Sequence, residues 1–394
     1  MKKTSLLFIL SLLAIAASAQ QDIQRKLQTQ LIEVENNGIV LLPEGTYFLT
    51  GTLSMDGKQG VTIRGKGRDK TILNFANQIS GAEGIKITNG SNIRLENLTV
   101  QNTKGDAIKT QLVDGIHFLQ VKTEWTRGAN SSNGGYGIYP VQCQRVLIDS
   151  CYARGASDAG IYVGQSHHII VRNSIATENV AGIEIENSLY AEVHNNEAFN
   201  NTGGILVFDL PDLIVKKGGF TKLYNNQVYE NNHVNFAPKG NIVGKVPPGT
   251  GIMVLAANNV DIYENRISNN RTAGTVVVSY YITENPINDS TYYPYPSNIY
   301  IHGNVYERKK QRATMKGRMG KLFRFKLRFG KNVPHIIYDG IHDEKAVTPN
   351  QLCIQNNQGE SFANIDAANG FKKISRDMKG YNCALNIPVT INLQ

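Results

Sequence analysis

Residues 157–208 read SDAGIYVGQSHHIIVRNSIATENVAGIEIENSLYAEVHNNEAFNNTGGILVF, and the punctuation of this stretch carries the architecture. Gly160-Ile161, Gly182-Ile183 and Gly204-Ile205 recur at equal spacing. Between them lie short runs of Val, Ile and Tyr, which favour strands. Asn-rich breaks separate the runs, and Asn tolerates the left-handed backbone that tight turns need. No helical period intervenes. Strands that follow one another without crossover helices stack as a coil rather than a doubly wound sheet. A period of 22–23 suits three strands and three turns per coil. The expected fold is therefore all-β: a single-stranded right-handed parallel β-helix solenoid.

The same mark extends outward. Gly137-Ile138 lies one period before Gly160, Gly251-Ile252 lies two periods after Gly204, and Gly274 follows one period later. Ala107-Ile108 precedes Gly137 by more than a period, the surplus being a polar loop around 127–135. The long step from Gly204 to Gly251 reads as one coil carrying two insertions, 208–219 and 233–250. A third insertion, 283–297, holds Tyr292, Tyr293 and Tyr295. Insertions in a repeat array tend to wall a groove on one face. Residues 22–34 read as a short capping helix, so the β-helix with its N-terminal cap is placed at 20–304. Residues 305–394, where the Asn period fades, read as a C-terminal cap. The string VTIRGKGRDKTIL (61–73) lacks the glycine before Lys70 that a phosphate loop requires.

Lys2 and Lys3, an apolar run from Leu6 to Ala17, and Ala17-Ser18-Ala19 form a secretory signal peptide over residues 1–19. This predicts export to the periplasm or beyond. No apolar run is long enough for a transmembrane segment. Of four cysteines, Cys353 and Cys383 could staple the C-terminal region, while Cys143 and Cys151 read as buried small hydrophobes. The net charge of +9 is concentrated: residues 307–331 hold eleven Lys and Arg and one acid, Glu307. The remainder is nearly neutral, and with no basic stripe on it a nucleic-acid partner is excluded. Within the basic segment, Phe323 to Phe329 alternates like a strand, but Met315, Met319, Leu322 and Phe323 keep helical spacing. An anionic surface is one partner such a segment would attract.

Aligning the coils at the Gly-Ile mark gives columns. Ile138, Ile161, Ile183 and Ile205 should form one buried ladder. The next column, Lys109, Tyr139, Tyr162, Glu184, Leu206 and Met253, should face solvent, as should Val141, Gly164, Glu186 and Phe208. Gln165 and Asp209 sit in the flanking turn, and Trp125, Arg127 and Tyr136 in the adjacent loop. Rings, carboxylates and a cation on one face suit a sugar chain. Chemistry on a uronic acid needs a cation for the C6 carboxylate, a base for the C5 proton and an acid for the departing oxygen or the opposite face. Lys109 or Arg127 could neutralise, Tyr136, Tyr139 or Tyr162 could move the proton, and Trp125, Arg127, Gln165, Glu184 and Asp209 could bind substrate. Glu184 and Glu186 could hold Ca²⁺, which takes carboxylate oxygens.

The strings EWTRG (124–128), YGIYPVQC (136–143), SDAGIYVGQS (157–166), AGIEIENS (181–188), TGGILVFDLPDL (202–213), NFAPKGNIV (235–243) and VPPGTG (246–251) resemble a family of secreted bacterial parallel β-helix repeat proteins. That resemblance implies the fold, export and a second exported protein as partner. More distantly, Tyr136-Gly137-Ile138-Tyr139-Pro140-Val141 is similar to the Tyr-Gly-Phe-Asp-Pro-His string of β-helical alginate epimerases. Tyr, Gly and Pro match, so Tyr136 is the catalytic candidate carried over, while Tyr139 and Val141 stand where the epimerases have Asp and His. The expected function is binding, with cleavage or epimerisation, of an acidic polysaccharide by a monomer. The alternative is a non-catalytic envelope module that presents loops to a protein or glycan.

Overall fold

Each coil climbs through three short strands, as in His167–Arg172, Ile175–Thr177 and Ala181–Glu186. The computed structural model describes residues 22–346 and 351–393, and the expected signal peptide, 1–19, lies outside them. Among the described residues, equivalent strands of successive coils pair in parallel into three sheets of 11, 10 and 11 strands. This is the parallel β-helix. Ile138, Ile161, Ile183 and Ile205 are partners in the third sheet and fully buried. Each such burial stabilises by about 2 kcal/mol.

The Gly-Ile mark has a steric cause. A Cβ on Gly182 would come 2.5 Å from the carbonyl oxygen of Gly204, and one on Gly204 would come 2.6 Å from that of Gly251. Only glycine permits coils to approach so closely there. The doubled asparagines divide two tasks. Asn195, Asn225 and Asn269 take the left-handed backbone, with φ of 55°, 53° and 56°. Their followers Asn196, Asn226 and Asn270 are buried. Asn196, Asn226, Asn265 and Asn304 form a ladder in which each Nδ2 donates to the next Oδ1 at 2.9–3.0 Å. The ladder satisfies buried turn amides that water cannot reach.

The long step from Gly204 to Gly251 is one coil, since Gly203 pairs with Thr250 and Ile205 with Ile252. The solenoid does not stop at residue 304. Val305–Glu307, Ile336–Tyr338, Leu352–Gln355 and Phe362–Asn364 extend all three sheets. The basic insertion 308–335 interrupts the Asn period and hides this continuation in the sequence. At the other end, a helix over 22–33 buries Leu27 and Leu31 against the core. Gln28 brackets Ser54 through both backbone groups at 2.8 Å.

A second apolar core lies outside the coil, on the outer face of the third sheet. Val243 and Val246 from one insertion, Tyr280 from the turn before the next insertion, Tyr292 within it, and Met315, Phe323, Leu327 and Phe329 from the basic segment all pack there. The basic segment is helical at Gly317–Lys321 and through the following turn, not a strand. Phe323, Leu327 and Phe329 are buried, whereas Phe325 is 74% exposed and faces away. Cys353 and Cys383 are disulfide-bonded, and Cys143 and Cys151 are free and buried.

Candidate functional site

The outward column on the third sheet pairs in the order Ser54, Lys86, Lys109, Tyr139, and Tyr162 with Glu184, Leu206, Met253 and Val276. Along one face the side chains pass from cationic through aromatic and acidic to apolar. The cationic stretch is half-exposed at Lys86 and Lys109. From Tyr162 onward the column is buried, not solvent-facing as its alternation suggests. Period two correctly points these residues out of the coil, but the inserted chain covers them.

At the boundary between the open and covered stretches, Tyr136, Tyr139 and Tyr162 form a compact triad. Tyr136 lies 4.5 Å from each of the others, centroid to centroid, and Tyr139 meets Tyr162 edge-on at 5.0 Å. Lys109 holds its ammonium 5.0 Å from the Tyr139 ring. Behind the triad, the Tyr162 hydroxyl donates to Glu186 Oε1 at 2.6 Å. Asp158, which precedes the Ala159–Gly164 strand, accepts from Asn241 Nδ2 at 3.1 Å. Asn241 belongs to the 233–250 insertion, which roofs the covered stretch. Glu184 is 1% exposed, and among the described residues neither of its carboxyl oxygens has a hydrogen-bond partner.

Desolvation dominates the electrostatics. It pushes Glu186 up to about 7, against the Tyr162 hydrogen bond. Burial, and next Glu186, bring Asp158 up to about 7, while Asn241 and Tyr136 favour its ionised form. Burial, with Asp158 and Glu186 beside it, holds Glu184 well above the usual carboxylate range. Burial of this kind disfavours the charged carboxylate. Burial also drives the Tyr136 and Tyr162 hydroxyls far above their ordinary value. They can give a proton to a developing charge but are poor bases. Glu186 and Asp158, poised near neutrality, are the better bases.

The remaining expected site residues scatter. Trp125 is 1% exposed and its indole N–H donates to the Thr103 carbonyl at 2.8 Å, so it anchors the loop and offers no sugar platform. Arg127 is exposed in a different, polar cleft of about 630 Å³ with Arg154, Glu178, Glu230 and His233. Gln165 accepts from the Ile214 N–H at 3.0 Å, which fixes the 209–218 loop. Asp209 is fully buried and accepts from the Gly218 N–H at 2.7 Å, again a loop clasp. Among the described residues, no group of three or more His, Cys, Asp or Glu is arranged to hold a metal ion. Sequence reasoning missed Lys86, Asp158 and Asn241. Lys86 lies one period before Lys109, within reach of the same column; Asn241 arrives from a loop without periodicity.

Another aromatic array is structural. His194, Tyr224, Tyr263 and His302 stack across successive coils at 4.7–5.2 Å with nearly parallel planes. Their faces cover one another and leave mainly edges free.

The family described as the right handed beta helix region matches residues 59–218 and 115–280. The uncharacterized protein YclG of Bacillus subtilis (strain 168) is 24% identical over 238 residues, which are 58% of this chain and 35% of that protein. The chain therefore spans about a third of that relative's length. Among solved structures, the A-module of mannuronan C-5 epimerase AlgE6 of Azotobacter vinelandii matches at 16% identity with a TM-score of 0.50, over 82% of this chain and 87% of that one. The A-module of AlgE4 from the same organism matches at 16% identity with a TM-score of 0.48, over 82% and 86%. At these identities the likeness is one of fold. No helix among the described residues is long and apolar enough to cross a membrane.

Proposed function

The chain belongs to the right-handed β-helix family, and from that premise we propose that it is an exported protein that binds an acidic, uronate-containing polysaccharide and transfers protons on it. The observation that carries the reading is the Tyr162–Glu186 hydrogen bond of 2.6 Å, set beside the unpartnered buried carboxyl of Glu184. The polymer lies along the open stretch, where Lys86 and Lys109 stand one strand spacing apart and meet successive carboxylates. The Cys353–Cys383 disulfide supports an oxidising compartment outside the cytoplasm.

At the cluster, Glu186 or Asp158 as carboxylate takes the C5 proton. Lys109 donates to the C6 carboxylate and stabilises the charge that develops on it. A tyrosine hydroxyl then gives its proton. Delivered to the glycosidic oxygen at C4, it completes an elimination in which the C4–O bond breaks and a C4–C5 double bond forms. Delivered to the opposite face of C5, it completes an epimerisation. Neither outcome needs another reactant. The burial of Tyr162 and Glu184 favours a second reading, a non-catalytic glycan-binding module of the cell envelope, because substrate must reach the acids past Tyr136 and Tyr139.

One experiment separates these readings. The mature protein is incubated with uronate polymers; absorbance of an unsaturated uronate reports cleavage, and proton NMR reports inversion at C5. Catalysis predicts turnover that Tyr162→Phe and Glu186→Gln each lower at least a hundredfold, with binding retained. Binding without turnover supports the module, and absence of both refutes the proposal. Lys86→Gln with Lys109→Gln should abolish binding in either case.

A further inference from the structure

The columns that carry Glu184 and Glu186 do not end at the carboxyls. They continue as Leu206, Met253 and Val276, and as Phe208, Leu255 and Val278. Over this stretch the insertions stand off the sheet and leave a cavity of about 130 Å³. Phe208, Met253, Leu255 and Val276 line it from the sheet, and Met315 and Phe323 from the basic segment. A water molecule needs two to four polar partners, and these walls supply almost none. Apolar cavities of roughly this volume stay dry and hold a group of about six carbons.

The rim is chemically different from the interior. Lys245 lines the cavity, and its ammonium donates to two neutral oxygens, the Thr283 carbonyl and Asn285 Oδ1. Phe371 lines it too, and the Lys326 ammonium stands 5.5 Å from that ring. Met319, 48% exposed, and Leu322 reach it from the helical segment that also carries Arg318 and Lys321. An apolar interior beneath a cationic rim is complementary to a molecule with an apolar tail and an anionic head.

We propose that this cavity is a binding site for a single-chain anionic amphiphile, with about six carbons of its tail inside and its anionic group at Lys245. The site adjoins the carboxyl cluster at Phe208, the strand partner of Glu186, and its test involves no polysaccharide. Straight-chain carboxylates from butanoate to decanoate, and the matching alcohols, are titrated into the full mature chain by calorimetry below their micellar concentrations. Each methylene that enters should tighten binding about fourfold. The gain should level off once about six carbons are inside. Lys245→Gln should weaken hexanoate several-fold and leave 1-hexanol unchanged. Val276→Phe should fill the cavity and abolish binding of both; Leu255→Phe serves the same purpose should the first variant not fold. No binding at any chain length, affinity independent of length, or binding that survives both filled variants would overturn the assignment. Phosphatidylglycerol vesicles distinguish a membrane surface. Recruitment to them that persists in a filled variant, with hexanoate binding absent from the wild type, belongs to the charge of 307–331 and also overturns it.

Discussion

Replacing Glu186 by Gln should remove a pH-dependent weakness of the fold. The Glu186 carboxyl, ordinarily near 4.5, is pushed by burial to about 7. Each pH unit of displacement corresponds to about 1.4 kcal/mol, so this one is worth about 3 kcal/mol. The sign follows from proton counts. Between pH 4.5 and about 7 the unfolded chain has released this proton and the folded chain still holds it. Stability therefore falls as pH rises through that window and levels off above it. Gln has no proton to lose, and its Oε1 can still accept from Tyr162. The variant also removes the charge that helps to raise Asp158, which changes the balance in the same direction. Urea unfolding of both proteins at pH 4.5 and pH 8 measures the difference. The stability of Glu186→Gln relative to wild type should rise by about 3 kcal/mol from the lower pH to the higher. A gap that is the same at both pH values, or that moves in favour of the wild type, would refute the argument that desolvation controls this cluster.

Asn226→Ala should destabilise by about 2–4 kcal/mol, because it leaves the buried Asn196 amide and the Asn265 and Val193 carbonyl oxygens short of their partners. Urea unfolding against Asn225→Gly, which relieves a positive φ and touches no ladder bond, checks that the loss belongs to the ladder. Cys383→Ser should cost about 3–4 kcal/mol of local stability, given the 30-residue separation of the two cysteines. Limited proteolysis should then cut within residues 340–394 first, leaving the preceding coils intact; unchanged cleavage would show that the bridge is dispensable.

The coil is written locally in the chain. Strand pairing in a β-helix is one rule repeated, so glycines excluded by the next coil's carbonyl and asparagines divided between turn and ladder leave a period that can be read directly. The inward ladder and both outward columns follow from that period, and so does the proximity of Tyr139, Tyr162, Glu184 and Glu186. The period also misleads where it is broken: the strands after residue 335 lie beyond an insertion that carries none of its marks. What the outward face meets is settled by the folded whole. Alternation states which way a side chain points from its own sheet, not whether another part of the chain stands in front of it. Asn241 is 83 residues from Asp158, and Val243 and Val246 are likewise remote in sequence from Tyr162, yet these roof residues take the acids and the phenol out of water. That desolvation separates a solvated strand face from a set of carboxyls poised near neutrality, and it depends on long-range burial that no local pattern encodes.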